Sequence, residues 1–438
     1  MKLRVPPVLI GLGALVWVLV RTGRRPTRIV YPCQRAALAT SWLFLGVPVL
    51  AFLAGGRWKR PVVVLAILVA AGWAVLSMGE GAKLGSWRPV PMPEWTERPR
   101  PYEGRVVQVR DPEATSWDFK KGYYGNFVDQ DRVDAMVAAG LLELTDEKTV
   151  VGAWGKLIPN FKPGEKLAIK VNFNNAGPDP PDNDIDALIH PVNALLGGLI
   201  EFGFAPSDLT VYDVTHAHHN GQMPQRFING CEYEGVNFVK WVGNKSAFST
   251  EVVTFTRPGK RISPRPIARV VVEADYLISL PIVKRHQQAG VTLSFKNHFG
   301  SIDDCRKVHG AVFIITKKYS PAYNVLVEIW LNKHIGGKTV LVLLDALYGN
   351  WEKLDTPPTP WPQFDGAPST IILGTDPVAA DCVAHDMLYR EGLIDERADD
   401  YLALAGLIGL GTYERESAPG VYELIDLRYI ELEEEAGE

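Results

Sequence analysis

Apolar residues beyond position 100 fall into short runs that alternate between strand and helix periods. Arg105 to Arg110 (RVVQVR) alternates with period two and predicts a first or edge strand. Val133, Met136 and Val137 recur at helical spacing within Asp129 to Leu142, where Gly140 closes the segment. Lys166 to Phe173 (KLAIKVNF) is a strong strand after the Pro163-Gly164 turn, and a polar loop, Asn174 to Asn183, follows it. Ile189 to Phe202 is helical and ends at Gly203, and Asp208 to Val214 is the next strand. Ala274 to Leu280, Thr339 to Asp345 and Thr370 to Leu373 are further strands, the first of them stopped by Pro281. Val378 to Tyr389 is helical, with Asp376 as N-cap and Pro377 at the first helical position. Strand, polar loop and helix thus recur in order. The pattern predicts an α/β domain over residues 102–430, with a mostly parallel sheet built of βαβ units.

The first eighty residues differ in kind. Val5 to Val20, Ala36 to Gly56 and Pro61 to Gly79 are apolar runs bounded by basic residues. A helical span needs roughly 20 apolar residues, so the second and third qualify and the first is marginal. A cleaved signal peptide accounts only for the first, which predicts an N-terminal α-helical membrane anchor of two or three spans in residues 1–83. With three spans, seven basic residues lie on the side of the C-terminal domain and five on the other. That balance favours a cytoplasmic domain on a bacterial-type inner membrane and leaves an exported one open. Residues 84–101 are rich in Pro and Trp and read as an extended linker with interfacial tryptophans; residues 431–438 read as a frayed acidic tail.

Composition narrows the chemistry. The net charge of -4 and 22% charged residues give no argument for nucleic-acid binding. The four cysteines, Cys33, Cys231, Cys305 and Cys382, are too scattered for a disulfide framework, a zinc ribbon or an iron–sulfur cluster. No P-loop, dinucleotide fingerprint or G-x-S-x-G elbow is present outside the apolar segments.

Candidate chemistry gathers beyond the predicted strand ends. Lys284, Arg285, His286, Lys296, Asn297, His298, Arg306, Lys307 and His309 lie beyond Pro281, on what reads as loop and helix start. Ligands in open α/β sheets sit beyond the carboxyl ends of strands, which makes this stretch the expected site. A lysine among other cations has a lowered pKa and becomes a usable nucleophile or base. The same crowding also suits an anionic ligand or cofactor. His216, His218 and His219 follow another strand within four residues and suit metal ligation or acid/base work. Asp345, closing the strand TVLVLLD, is expected to pair with one of the cations. Asn172 and Asp376, at two other strand ends, complete the cofactor-binding candidates with Lys296, Asn297 and Asp345.

KLAIKVNF, SLPIVKRHQQAGVTLSFKNHFG, VLLDALYG and TDPVAAD, in this order, resemble the family called domain of unknown function 362 over most of Tyr102 to Ile430. Some members of that family carry ferredoxin-like clusters, and this chain lacks the cysteines for one. More distantly, His286, Ala289, Gly290 and Lys296 are similar in spacing to a segment of the nickel-pincer lactate racemases. That resemblance implies an acid/base at His286, a covalent cofactor anchor at Lys296, a second acid/base at His216 after Thr215, and a nickel ligand at His309. The arginine of their substrate loop is missing from Asn174 to Pro178.

The expected function is a membrane-anchored, metal- or cofactor-dependent enzyme. His286, His216, Lys284 and Lys296 would transfer a proton or hydride at an oxygen-bearing carbon, and His309 or His218 and His219 would hold a divalent metal. The alternatives are a non-catalytic anion- or metal-binding module for a membrane partner, and a redox-associated subunit.

Overall fold

A computed structural model describes residue 16 and residues 92–97, 100–174, 183–215, 223–240, 247–256, 261–316, 323–352, 356–393, 395 and 397–432; side chains at 313–316 are not described. The chain divides into two compact units, Met1–Gly85 and Ser86–Glu438. The three apolar runs lie outside the described residues except for Val16, which is helical and exposed. Among the described residues no helix is long and apolar enough to cross a membrane.

The second unit is built on one large sheet. Its order is β12 (Asp426–Glu431), β1 (Arg105–Arg110), β11 (Thr370–Gly374), β10 (Thr339–Asn350), β7 (Tyr276–Ser279), β2 (Leu167–Lys170), β3 (Leu209–Asp213) and β4 (Asn237–Lys240). From β10 to β4 every pairing is parallel, as the βαβ pattern predicts. Only β11 runs against both its neighbours. A separate antiparallel pair, β5 (Phe248–Phe255) and β6 (Ile262–Ala268), lies off this sheet.

Alternation along the central strands divides the apolar residues between two cores. Ala168, Tyr212, Leu277, Val342, Leu344 and Ile372 face one side, which the helices Val325–Trp330, Pro377–Arg390 and Arg397–Leu407 cover. Ile169, Val211, Ile278, Leu343 and Leu373 face the other, under the helices Gln130–Thr145, Val150–Leu157 and His190–Phe202. This is why the central strands read as continuous apolar runs: both faces are buried. Gly140 lets its helix lie close on the sheet, since a Cβ there would come within 2.4 Å of Leu373 Cδ1.

Three expectations change. The stretch after Pro281 is not a loop: Ile282–His286 forms β8, which pairs parallel with β10 and antiparallel with β9 (Gly290–Thr292). Its charges disguise a strand, because Lys284 is buried by its neighbours rather than solvated. The segment before the domain is not wholly extended either, for Trp95 lies in a short 3-10 turn and donates to the Leu331 carbonyl at 3.2 Å. Part of the expected tail belongs to the sheet, since Glu431 pairs with Arg110 in β12.

Asp376 caps its helix as the Asp-Pro pair predicts, and does more. One carboxylate oxygen accepts from the Val378 and Ala379 amides at 3.0 Å each. The other accepts from Gly104 at 3.2 Å and Thr412 at 2.7 Å, tying three distant segments together. Its carboxylate is therefore saturated by backbone, and a cofactor-binding role finds no free acceptor there. Asp376→Asn keeps one acceptor oxygen and presents an amide to donors. It is expected to lower stability by about 1–3 kcal/mol in chemical denaturation, with no effect on ligand binding.

Candidate active site at the switch point of the sheet

From β2 the chain proceeds to β3 and β4 on one side, whereas β7 and β10 lie on the other. The order reverses between β2 and β7, and ligands of open α/β sheets sit beyond the carboxyl ends of strands at such a point. Lys170, the last residue of β2, stands opposite Ser279 of β7 and Tyr212 of β3. Its side chain is fully buried. The ammonium lies 3.3 Å from Asp213 Oδ1 and donates to the Val171 carbonyl and, at 3.3 Å, to Asn297 Oδ1. Asp213 in turn accepts from the amides of Phe173 at 2.7 Å and Thr215 at 2.8 Å, and from the Thr215 hydroxyl at 2.5 Å. A buried cation survives only with such partners. Burial lowers the Lys170 pKa and the Asp213 charge opposes that shift.

The segment Ser294 to Ser301 is folded onto this pair. Asp381, one turn beyond Asp376, accepts from the Ser294 amide at 2.9 Å and the Phe295 amide at 3.2 Å, so it caps the short helix Ser294–Asn297. Asn297 then donates to the Lys170 carbonyl at 3.0 Å and to Ser279 Oγ at 3.1 Å. His298 turns away, bonded to Ser301 Oγ at 3.0 Å and set edge-on to Trp330 at 5.1 Å, and burial brings its pKa to about 3. Gly300 presses directly on the ion pair. A Cβ there would meet Thr215 Oγ1, Asp213 Oδ1 and Lys170 Nζ at 2.4–2.5 Å.

Lys296 is the member of this segment aimed at the remaining candidates. Its Nζ lies 3.2 Å from His309 Nε2 and 4.0 Å from the centre of the Phe299 ring. The His309 ring stacks on Phe299 at 4.8 Å and lies parallel to His286 at 6.2 Å. Burial brings the Lys296 amine from the ordinary 10.5 to about 7, assisted by the charges of Lys170 and Lys284 and opposed by Cys305 and Asp213. His286 is pushed well below the usual histidine range by burial, then by Lys296, His309, Lys284 and Arg397. An amine near neutrality beside an imidazole can accept a proton, return it, or attack a carbonyl carbon.

Lys284, His286, Lys296 and His309 are thus brought together, and Asn297 holds them to the sheet. His216, His218 and His219 lie outside the described residues. Lys307 is exposed and paired with Asp304 at 2.9 Å, and Arg285 donates to the Glu352 carbonyl at 2.8 Å. Asn172 Oδ1 accepts from the Asn174 amide at 3.3 Å. Asp345 faces the other core: it accepts from the Leu347 amide at 2.9 Å and interacts with Tyr124, and burial raises its pKa to about 7. The described partners of Asp345 therefore differ from the lysine pairing expected for it. Among the described residues no group of three or more His, Cys, Asp or Glu could hold a metal. Lys170 and Asp213 were not among the candidates, although a lone lysine inside LAIKVNF, ahead of an aspartate closing the next apolar strand, signals a buried pair.

A family model described as domain of unknown function (DUF362) matches residues 167–386, just over half of the chain and the whole of this site. Among solved structures, a Thermotoga maritima protein is 12% identical with a TM-score of 0.35, covering 64% of this chain and 60% of that one. The lactate racemase apoprotein from Thermoanaerobacterium thermosaccharolyticum is 14% identical with a TM-score of 0.31, covering 56% of this chain and 50% of that one. The chain thus spans less than two thirds of the length of either. No curated protein matches it.

Three outcomes follow from this geometry. Gly300→Ala overpacks the Lys170–Asp213 pair and is expected to cost about 1–3 kcal/mol in denaturation. Labelling of Lys296 by an amine-directed reagent, mapped by peptide mass, should rise with a midpoint near pH 7, because its amine is neutral and nucleophilic above about 7. Between about 7 and 10.5 the unfolded chain holds a proton on this lysine that the folded chain does not. Stability from this group therefore rises with pH across that window, and Lys296→Met removes the slope.

Proposed function

The chain belongs to the domain of unknown function (DUF362) family, and from that premise we propose that it is an enzyme of proton transfer at a carbon bearing oxygen, acting on a small anionic substrate. The observation that carries this reading is the buried Lys296 amine, near neutrality and 3.2 Å from His309. In the proposal Lys296 takes the proton from the carbon next to a carbonyl or carboxylate, and His309 relays it. Lys284 supplies positive charge for the substrate anion, and Asp381 holds the lysine's helix in place through its two amide bonds. Buried positive charge stabilises the enolate-like oxygen that develops as the proton leaves.

A divalent metal on His309, or on His218 and His219, belongs to the same proposal, but the described residues do not assemble a metal site, so no step is written through one. The apolar runs within residues 5–79 are proposed to hold the chain to a lipid bilayer, on their sequence alone. A second reading, a non-catalytic module that binds a small anion, is favoured by one feature: the amines of Lys284 and Lys296 and the rings of His286 and His309 gather in one place.

The test is solvent deuterium exchange. Purified protein is incubated in heavy water with a panel of small 2-hydroxy and 2-oxo acids, and incorporation next to the carboxylate or carbonyl is followed by proton NMR. The wild type is expected to exchange at least one compound, and Lys296→Ala to slow that exchange by about 100-fold or more. Absence of exchange across the panel, with anion binding retained, overturns catalysis in favour of the binding module.

A further inference from the structure

His286 closes β8, and the chain reverses immediately after it. Its Nδ1 accepts two backbone hydrogen bonds from that turn, from Gln288 N–H at 3.0 Å and Ala289 N–H at 3.1 Å. The turn itself is tightly determined. Ala289 is fully buried. Gly290 has φ +86°, and a Cβ there would lie 3.2 Å from the Ala398 amide. Arg397, ion-paired with Asp395, donates to the Gln287 carbonyl and fixes the tip. This accounts physically for Ala-Gly at the third and fourth places after the histidine: the small residues let the backbone wrap round the ring nitrogen.

We infer that His286 is held permanently as the neutral Nε2–H tautomer, a fixed hydrogen-bond donor for a carboxylate or carbonyl oxygen of the ligand and not a proton-transfer base. A nitrogen that accepts two amide bonds carries no proton, so the proton of a neutral ring resides on Nε2. Adding a second proton at Nδ1 would turn both amide bonds into donor–donor contacts and strand two amides. The charged neighbours act in the same direction. Lys284 on the same strand, Lys296 on the short helix, His309 on the helix Arg306–Thr316 and Arg397 at the start of the helix Arg397–Leu407 all disfavour an imidazolium, while Asp395 is committed to Arg397. The ligand chemistry this selects is an oxygen acceptor on an anionic molecule. The assignment of that ligand rests on the proposed function; the tautomer does not.

The experiment uses full-length protein with nitrogen-15 histidine, and long-range proton–nitrogen NMR with His286 assigned by its loss in His286→Gln. An unprotonated Nδ1 and protonated Nε2, unchanged from about pH 5 to about pH 9, is the expected pattern. A proton on Nδ1, or titration within that range, overturns the tautomer. The second arm measures oxalate binding by calorimetry. His286→Gln, which keeps an N–H at a similar reach, should bind within about threefold of wild type, and His286→Phe should lose about tenfold. Equal affinity of all three, with the tautomer confirmed, overturns the donor role. Deuterium exchange that fails while the tautomer and the oxalate ranking hold would remove the catalytic reading and leave this inference standing.

Discussion

The Lys170–Asp213 pair is the contact on which the site depends. It joins the carboxyl ends of the parallel neighbours β2 and β3, next to the reversal of strand order between β2 and β7, and is out of reach of water. Removing either partner would leave an uncompensated buried charge, the most destabilising outcome for such a pair. Its remaining bonding capacity recruits everything else. The ammonium binds Asn297, the carboxylate collects amides from the two strand ends, and Gly300 lies against both.

That arrangement gives each position of the Lys296 to Gly300 run a separate physical task. Asn297 looks inward to the sheet, His298 packs on Trp330, Phe299 stacks on His309, and Gly300 makes room for the ion pair. Lys296 meets His309 with its amine, and burial and neighbouring cations make it an unusual lysine. Rigidity matters here, because an amine with a depressed pKa is useful only where its partner stays within hydrogen-bond reach. Asp381 supplies part of that rigidity from a helix on the far side of the chain, through the second carboxylate of the Asp-Pro-Val-Ala-x-Asp sequence.

The two carboxylates of that sequence show how similar residues diverge by environment. Asp376 meets four amides and becomes a structural knot. Asp381 meets two amides, and burial raises its pKa to about 7. Position within the helix separates them: the first is the cap itself, the second lies a turn along it and reaches across to another segment.

The chain's own pattern determined the α/β class, the parallel centre of the sheet and its main helices, because strands buried on two faces must be apolar throughout and helix caps are local chemistry. It also placed Lys284, His286, Lys296 and His309 in one neighbourhood, since they lie within a few dozen residues of each other. The strands β4, β5, β6 and β12 were not legible, for their half-exposed residues lack a two-sided apolar signal. β8 was hidden by its charges, which are buried only because β9 and β10 flank it. Nor does sequence join Lys170 to Asp213: the pairing of β2 with β3 sets their carboxyl ends side by side, and Asp213, one place beyond the residue opposite Lys170, meets the ammonium there. Tertiary structure likewise decided what Asp345 meets, since its strand carries it, with Leu343 and Leu347, into the core that also holds Tyr124.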